Sequence, residues 1–145
     1  MRINDVLTGK GSQDVVTVQP DASVRELLGM LAEHNIGALV VSVDGSSVDG
    51  IVSERDVVRH LLHDEAVLGS PVSAIMSTDV HSCQGRDTVD EVMALMTDLR
   101  VRHVPVVKEG RLTGIVSIGD VVKSRMSELT FERDQLDSYV HGSQS

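Results

Sequence analysis

Aromatic residues are almost absent from this 145-residue chain, which has one Phe, one Tyr and no Trp. An interior must therefore be built from Val, Leu, Ile, Met and Ala, within a hydrophobic content of 41%. There is a single cysteine, Cys83, so no intrachain disulfide can form. It falls in an apolar-polar strand pattern and reads as a small buried hydrophobe, with nothing to suggest a reactive thiolate. Basic residues are scarce: 13 Lys and Arg stand against 22 Asp and Glu, a formal charge of −9. Such a chain repels phosphate backbones at long range, which argues against nucleic acid as the main partner, although a local basic cluster could still hold one nucleotide. No apolar run approaches the length of a membrane span, and Met1-Arg2-Ile3-Asn4-Asp5 lacks the apolar region of a signal peptide. The expectation is a soluble, cytoplasmic protein, formed as one globular unit or two small ones sharing a core.

What the chain does have is a repeat. Gly50-Ile51-Val52-Ser53-Glu54-Arg55-Asp56-Val57-Val58 returns 64 positions later as Gly114-Ile115-Val116-Ser117-Ile118-Gly119-Asp120-Val121-Val122. A glycine, a β-branched run, and a hydroxyl three residues before a carboxylate describe a strand feeding a helix, a junction whose free N–H groups suit an anionic ligand. The surroundings repeat too. Ser23/Glu26 and Thr88/Glu91 form capping-box signatures. Each precedes a helical stripe: Val24, Leu27, Leu28 and Leu31 in one copy, Val89, Val92, Met93 and Met96 in the other. Short strands are expected at 15–18 and 80–83, buried strands at 36–43 and 101–107, and return strands at 48–52 and 112–116. A helix from Asp56 should place Val57, Val58, Leu61 and Leu62 on one face, and a last helix from about Asp120 should reach about Tyr139. The capping helices lie 65 apart but the carboxylates only 64, so the first copy holds one extra residue, assigned to the turn Asp44-Gly45-Ser46-Ser47.

The β-α-β-β-α order, the doubled Gly-Ile-Val-Ser-x-x-Asp signature and the strand Val104-Pro105-Val106 resemble a tandem pair of cystathionine β-synthase (CBS) domains of the small stand-alone bacterial type. The resemblance implies an α+β fold: two repeats, 1–71 and 72–128, packed as a pseudo-twofold pair with a shared core, followed by a helical extension and tail at 129–145. It also implies a non-enzymatic sensor binding AMP, ADP, ATP, NAD or S-adenosylmethionine in two clefts, acting by conformational change or through an unidentified effector protein. Ser53 and Ser117 would contact phosphate, and Asp56 and Asp120 the ribose. Thr17 and Ser82 on the first strands, and the stretches Ala38-Leu39 and Val104-Pro105, would frame the base.

Chemistry supports these assignments independently. A carboxylate can accept from both hydroxyls of a ribose diol, and a hydroxyl at a helix start suits phosphate. The rival is structural, because Ser-x-x-Asp is also a capping box, and the two roles are compatible. Arg102 and His103, with Arg100 nearby, replace Gly37 and Ala38 of the first copy; they make one cleft cationic or simply mark a solvated strand end. Arg55 could reach a phosphate or lie exposed. His60 and His63 have no companion ligands at a recognised metal spacing, so no metal is expected. A nucleotide hydrolase would want a carboxylate cluster where each signature offers one carboxylate. A dimeric scaffold without ligand is the other alternative. On the last helix Leu129, Leu136 and Val140 continue a stripe alongside Phe131 and Tyr139, which suggests either back-packing or a homodimer seam.

Overall fold

The computed structural model describes residues 1–10 and 15–142; the end of the expected tail, 143–145, lies outside them. The chain opens with helix α1 (Ile3–Gly9), which no sequence pattern announced, and continues through β1 (Thr17–Val18) and α2 (Val24–His34). Strands β2 (Ala38–Val41) and β3 (Gly50–Ser53) lead into α3 (Glu54–Leu61) and two 3-10 turns, Glu65–Gly69 and Val72–Ala74. The second copy supplies α4 (Val89–Leu99), β4 (His103–Lys108), β5 (Arg111–Ser117) and the long α5 (Ile118–Gly142). The fold is α+β, two repeats with a helical extension.

Both expected capping boxes form: Ser23 Oγ accepts from the Glu26 amide at 3.1 Å, and Thr88 Oγ1 from the Glu91 amide at 3.1 Å. The stripes behind them bury Val24, Leu27 and Leu31 in α2 and Val89, Val92 and Met96 in α4. Registers match as well, with Ala38 opposite Ser53 and His103 opposite Ser117. Eight residues (42–49) separate the paired Val41 and Gly50, and seven (107–113) separate Val106 and Gly114, which places the extra residue in the first turn.

Three expectations need correction. The first strand of the second copy shrinks to one bridge, Cys83 to Val106, so β4 and β5 form a two-stranded sheet while β1, β2 and β3 form a three-stranded one. In α3 only Val57 is buried and Leu61 half-buried, whereas Val58 and Leu62 are 66% and 80% exposed. At 100° per residue, Val58 and Leu62 fall beside the core-facing arc instead of on it. Finally, the copies do not share one core. Val18, Leu27, Leu39 and Val52 belong to one apolar cluster, and Cys83, Met96, Val104 and Val116 to another.

Each cluster is completed by the segment that precedes the other repeat in sequence. Ile3 and Val6 of α1 enter the second cluster, tied by Ile3 N–H to Asp87 O at 2.9 Å and Val89 N–H to Met1 O at 3.1 Å. Val72 and Ile75 enter the first, tied by Val72 N–H to Ala22 O at 2.7 Å. The two signature glycines follow from this arrangement. A Cβ on Gly114 would lie 2.8 Å from Leu7 Cδ2, and one on Gly50 would lie 2.7 Å from Met76 Sδ. Each glycine admits the segment laid across its strand. Ala38 and Val40 are buried but belong to neither cluster; they occupy the opposite face of β2 from Leu39 and Val41.

Candidate functional site

At each strand-helix joint the same short-range geometry recurs. Asp56 Oδ2 accepts from the Ser53 amide at 2.8 Å and from Ser53 Oγ at 3.1 Å, while the Asp56 amide donates to Ser53 Oγ at 3.3 Å. At the second joint Asp120 Oδ2 accepts from the Ser117 amide at 2.9 Å, and the Asp120 amide donates to Ser117 Oγ at 3.1 Å. The first amide of each helix is used as well: Glu54 N–H reaches Gly37 O at 3.0 Å and Ile118 N–H reaches Arg102 O at 2.8 Å. Capping is therefore real at both joints. It uses one carboxylate oxygen, because among the described residues the hydrogen bonds to the side-chain carboxylates of Asp56 and Asp120 fall on Oδ2. Oδ1 of each remains able to accept from a ligand hydroxyl.

The second joint carries a cation that the repeat could not disclose. Lys10 Nζ donates to Asp120 Oδ2 at 2.9 Å and to Ile115 O at 2.9 Å. Burial favours the neutral acid of Asp120, but the Ser117 amide and Lys10 more than offset it and hold the carboxyl below its usual range. Lys10 stands just past α1, in a segment with no signature of its own. If Leu7 corresponds to Met76 as the residue crossing the signature glycine, Lys10 corresponds to Asp79, so the matching position of the other copy is acidic.

Beside Lys10 and Ile115 opens a cavity of about 940 Å³. Its apolar lining comes from both repeats: from Val16 just before β1, Ile36 just before β2 and Leu39 within it, and from Leu7 of α1, Val107 and Ile115 on the other side, where Thr113 and Gly114 also stand. Its rim holds Arg86 and Lys108 against one carboxylate, Glu109, so it is cationic within an acidic chain, with His34 beside them. The residues leading into the first strand of one repeat thus meet the signature strand of the other, a crossing that spacing alone could not reveal.

Among the expected site residues, Leu39 lines this cavity and Asp120 reaches it through Lys10. Thr17 is half-buried and pairs with Val40, next to Val16. Ala38 and Val104 are buried in their strands, and Pro105 is buried with its carbonyl accepting from Cys83 N–H at 2.9 Å. Ser53 and Asp56 form the first joint, away from this cavity. Arg55, Ser82 and Arg102 are exposed. His103 is half-buried at the meeting of the repeats, where a Cβ on Gly37 would lie 3.7 Å from its Nε2 and 3.6 Å from Glu54 Oε1. Burial pushes its imidazole below the ordinary histidine value; Asp120 and Glu54 oppose the shift, while Lys10 and Arg102 add to it.

An α+β repeat pair, with each joint capped alike and a cavity crossing from one repeat to the other, defines a two-repeat module. The family model for the CBS domain matches residues 5–63 and 72–127, and the chain belongs to that family. CBSX3, a mitochondrial CBS domain-containing protein of Arabidopsis thaliana, is 33% identical over 148 aligned positions, covering 97% of this chain and 72% of the relative. The crystal structure of the CBS-domain protein ATU1752 from Agrobacterium tumefaciens is 47% identical with a TM-score of 0.81, covering 86% of this chain and 99% of that one. The CBS domain pair of protein MJ0100, solved in complex with 5′-methylthioadenosine and S-adenosyl-L-methionine, has a TM-score of 0.76 at 25% identity, covering 85% and 98% of the two chains. No helix among the described residues is long and apolar enough to cross a membrane.

Proposed function

We propose that this chain is a regulatory module binding adenosine nucleotides (AMP, ADP, ATP or NAD) in two inequivalent clefts, and that it is not an enzyme. The observation that carries this reading is the crossed cavity: apolar lining from Val16, Ile36 and Leu39 of one repeat and Ile115 of the other, a cationic rim, and Lys10 on its wall bonded to Asp120 Oδ2. Adenine fits the apolar walls, the ribose hydroxyls donate to Asp120, and phosphates meet Lys10 and the rim. Lys10 now pairs with Asp120 Oδ2, so a ribose bonded to Oδ1 would leave the ammonium at the same carboxylate, where it can also face the phosphates. The ligand would join β1 and β2 of one repeat to the joint of the other and so set the angle between them. That change would be the output, delivered to an effector protein. The ligands in MJ0100 share the adenosine group and lend support at the level of ligand class. Inequivalence is supported by Lys10 and His103 on one side against Asp79 and Ala38 on the other.

Calorimetric titration with adenosine, AMP, ADP, ATP and NAD tests the proposal. Asp120→Asn should weaken nucleotide binding about 10- to 100-fold, the loss expected for a hydrogen bond to a charged group. Lys10→Ala should weaken ATP far more than adenosine. Saturable binding by none of the five ligands, or unchanged binding in folded Asp120→Asn, would remove the basis for the assignment.

A further inference from the structure

The β2–β3 and β4–β5 hairpins touch both at their tips and at their bases, and the two contacts differ in kind. At the tips the Leu112 amide donates to Ser46 O at 2.8 Å. Ser46 stands in a turn tied by its own side chains. Asp44 Oδ1 accepts from the Ser46 and Ser47 amides at 2.9 and 2.8 Å, and buried Ser42 Oγ accepts from the Gly45 amide at 2.9 Å. Leu112 is itself buried without belonging to either apolar cluster. At the bases, about 13 Å away by the length of the four residues of β2, the contact is looser. Glu54 Oε1 and His103 Nε2 face one point above Gly37, lying 3.6 and 3.7 Å from where a Cβ would stand. Neither residue takes part in an ion pair among the described residues. Four charged groups act on the imidazole: Glu54 from α3, Asp120 from α5, Lys10 from the segment after α1, and Arg102 beside it. Two are anionic and two cationic, so burial decides, and it favours the neutral ring.

We propose that the two repeats hinge about the Ser46–Leu112 contact, and that a proton on His103 releases the opposite end with no nucleotide required. A proton shifts a conformational equilibrium only through its different affinity for the two states. It binds the parted state better, because water there solvates an imidazolium that the closed boundary strips. Moving Gly37 and Glu54 away from the ring breaks no strand pairing, since His103 pairs with Ser117 of its own hairpin. The tied turn keeps its bond to Leu112, so the motion is a rotation of one hairpin against the other and not a separation. Charge grades the release. Glu54 and Asp120 attract the protonated ring and hold the closed state, whereas Lys10 and Arg102 repel it and favour opening. The angle between the two strand-helix joints thereby answers to pH as well as to any ligand.

Arg59 on α3 and Lys123 on α5 are exposed equivalents on the helices that leave the two bases. Spin labels at Arg59→Cys and Lys123→Cys, in a Cys83→Ala chain mixed with excess unlabelled protein, read the distance between those helices. From about pH 8 to about pH 5 it should lengthen by a few ångström without loss of helical signal, with a midpoint below the ordinary histidine value of about 6.5. The Leu112 amide should keep its protection from hydrogen exchange over the same range. His103→Gln should hold the short distance throughout. Glu54→Gln should move the opening to higher pH, and Lys10→Ala should move it to lower pH. A distance that ignores pH, an opening that survives in His103→Gln, shifts of the opposite sign, or loss of Leu112 protection along with the opening would each overturn the proposal.

Discussion

His103 links the two repeats through charge as well as contact. It stands against Gly37 and Glu54 of the first repeat and within reach of Asp120, Lys10 and Arg102. Because burial depresses its folded value, the unfolded chain takes up the proton first, near the ordinary value of about 6.5. The neutral ring therefore contributes stability that is complete above that value and is lost as pH falls below it. Thermal melts from about pH 8 to about pH 5 should show a falling midpoint, and His103→Gln should flatten part of that fall. An identical slope in the variant would place the proton elsewhere. Cys83, at the same scale, matches its sequence pattern: it is 5% exposed, and burial, with Asp87 nearby, pushes its thiol up to about 12. Lys10 was not legible. A lone lysine ahead of the repeats has no counterpart to compare with, and only the fold brings it to Asp120.

Elements were legible where both period and repeat spoke. The stripes of α2 and α4, their caps and the presence of the two hairpins follow from spacing, and the missing residue of the second turn follows from subtraction. Helix α1 was not legible, because seven residues carry too little period and its counterpart Val72–Ala74 folds as a 3-10 turn. The repeats also differ in how they end matching helices. Asn35 closes α2 with φ of 52°, and Arg100 closes α4 with φ of 55°. Asparagine accepts the left-handed conformation more readily than arginine, whose longer side chain offers no compensating local bond there. Arg100→Asn, copying the first repeat, should stabilise the chain by about 0.5 kcal/mol, read as a higher urea midpoint at unchanged slope. A lower midpoint would mean that Arg100 makes a contribution its exposed position hides.

For the whole molecule, the exchange of segments matters most. Because α1 completes the second cluster and Val72 with Ile75 completes the first, neither repeat is finished by its own contiguous stretch of chain. This also places Lys10 at the second joint, since the residues that seat α1 across Gly114 carry the ammonium to Asp120. Stability and ligand chemistry are thus coupled through one short segment, and a nucleotide that engages Lys10 would act on a helix seated in the opposite repeat. The crossing makes a directional prediction. Ile3 is 0% exposed, so Ile3→Ala should cost about 2–5 kcal/mol by transfer and cavity formation. In hydrogen exchange the sub-global loss should fall first on β4 and β5, far along the sequence, and less on β2 and β3. Val72→Ala should reverse the pattern, exposing amides of Leu39 and Val41 before those of Val104 and Val106. Exchange that instead rises in the sequence-adjacent repeat for both variants would refute the crossed packing, and with it the route by which Lys10 reaches Asp120.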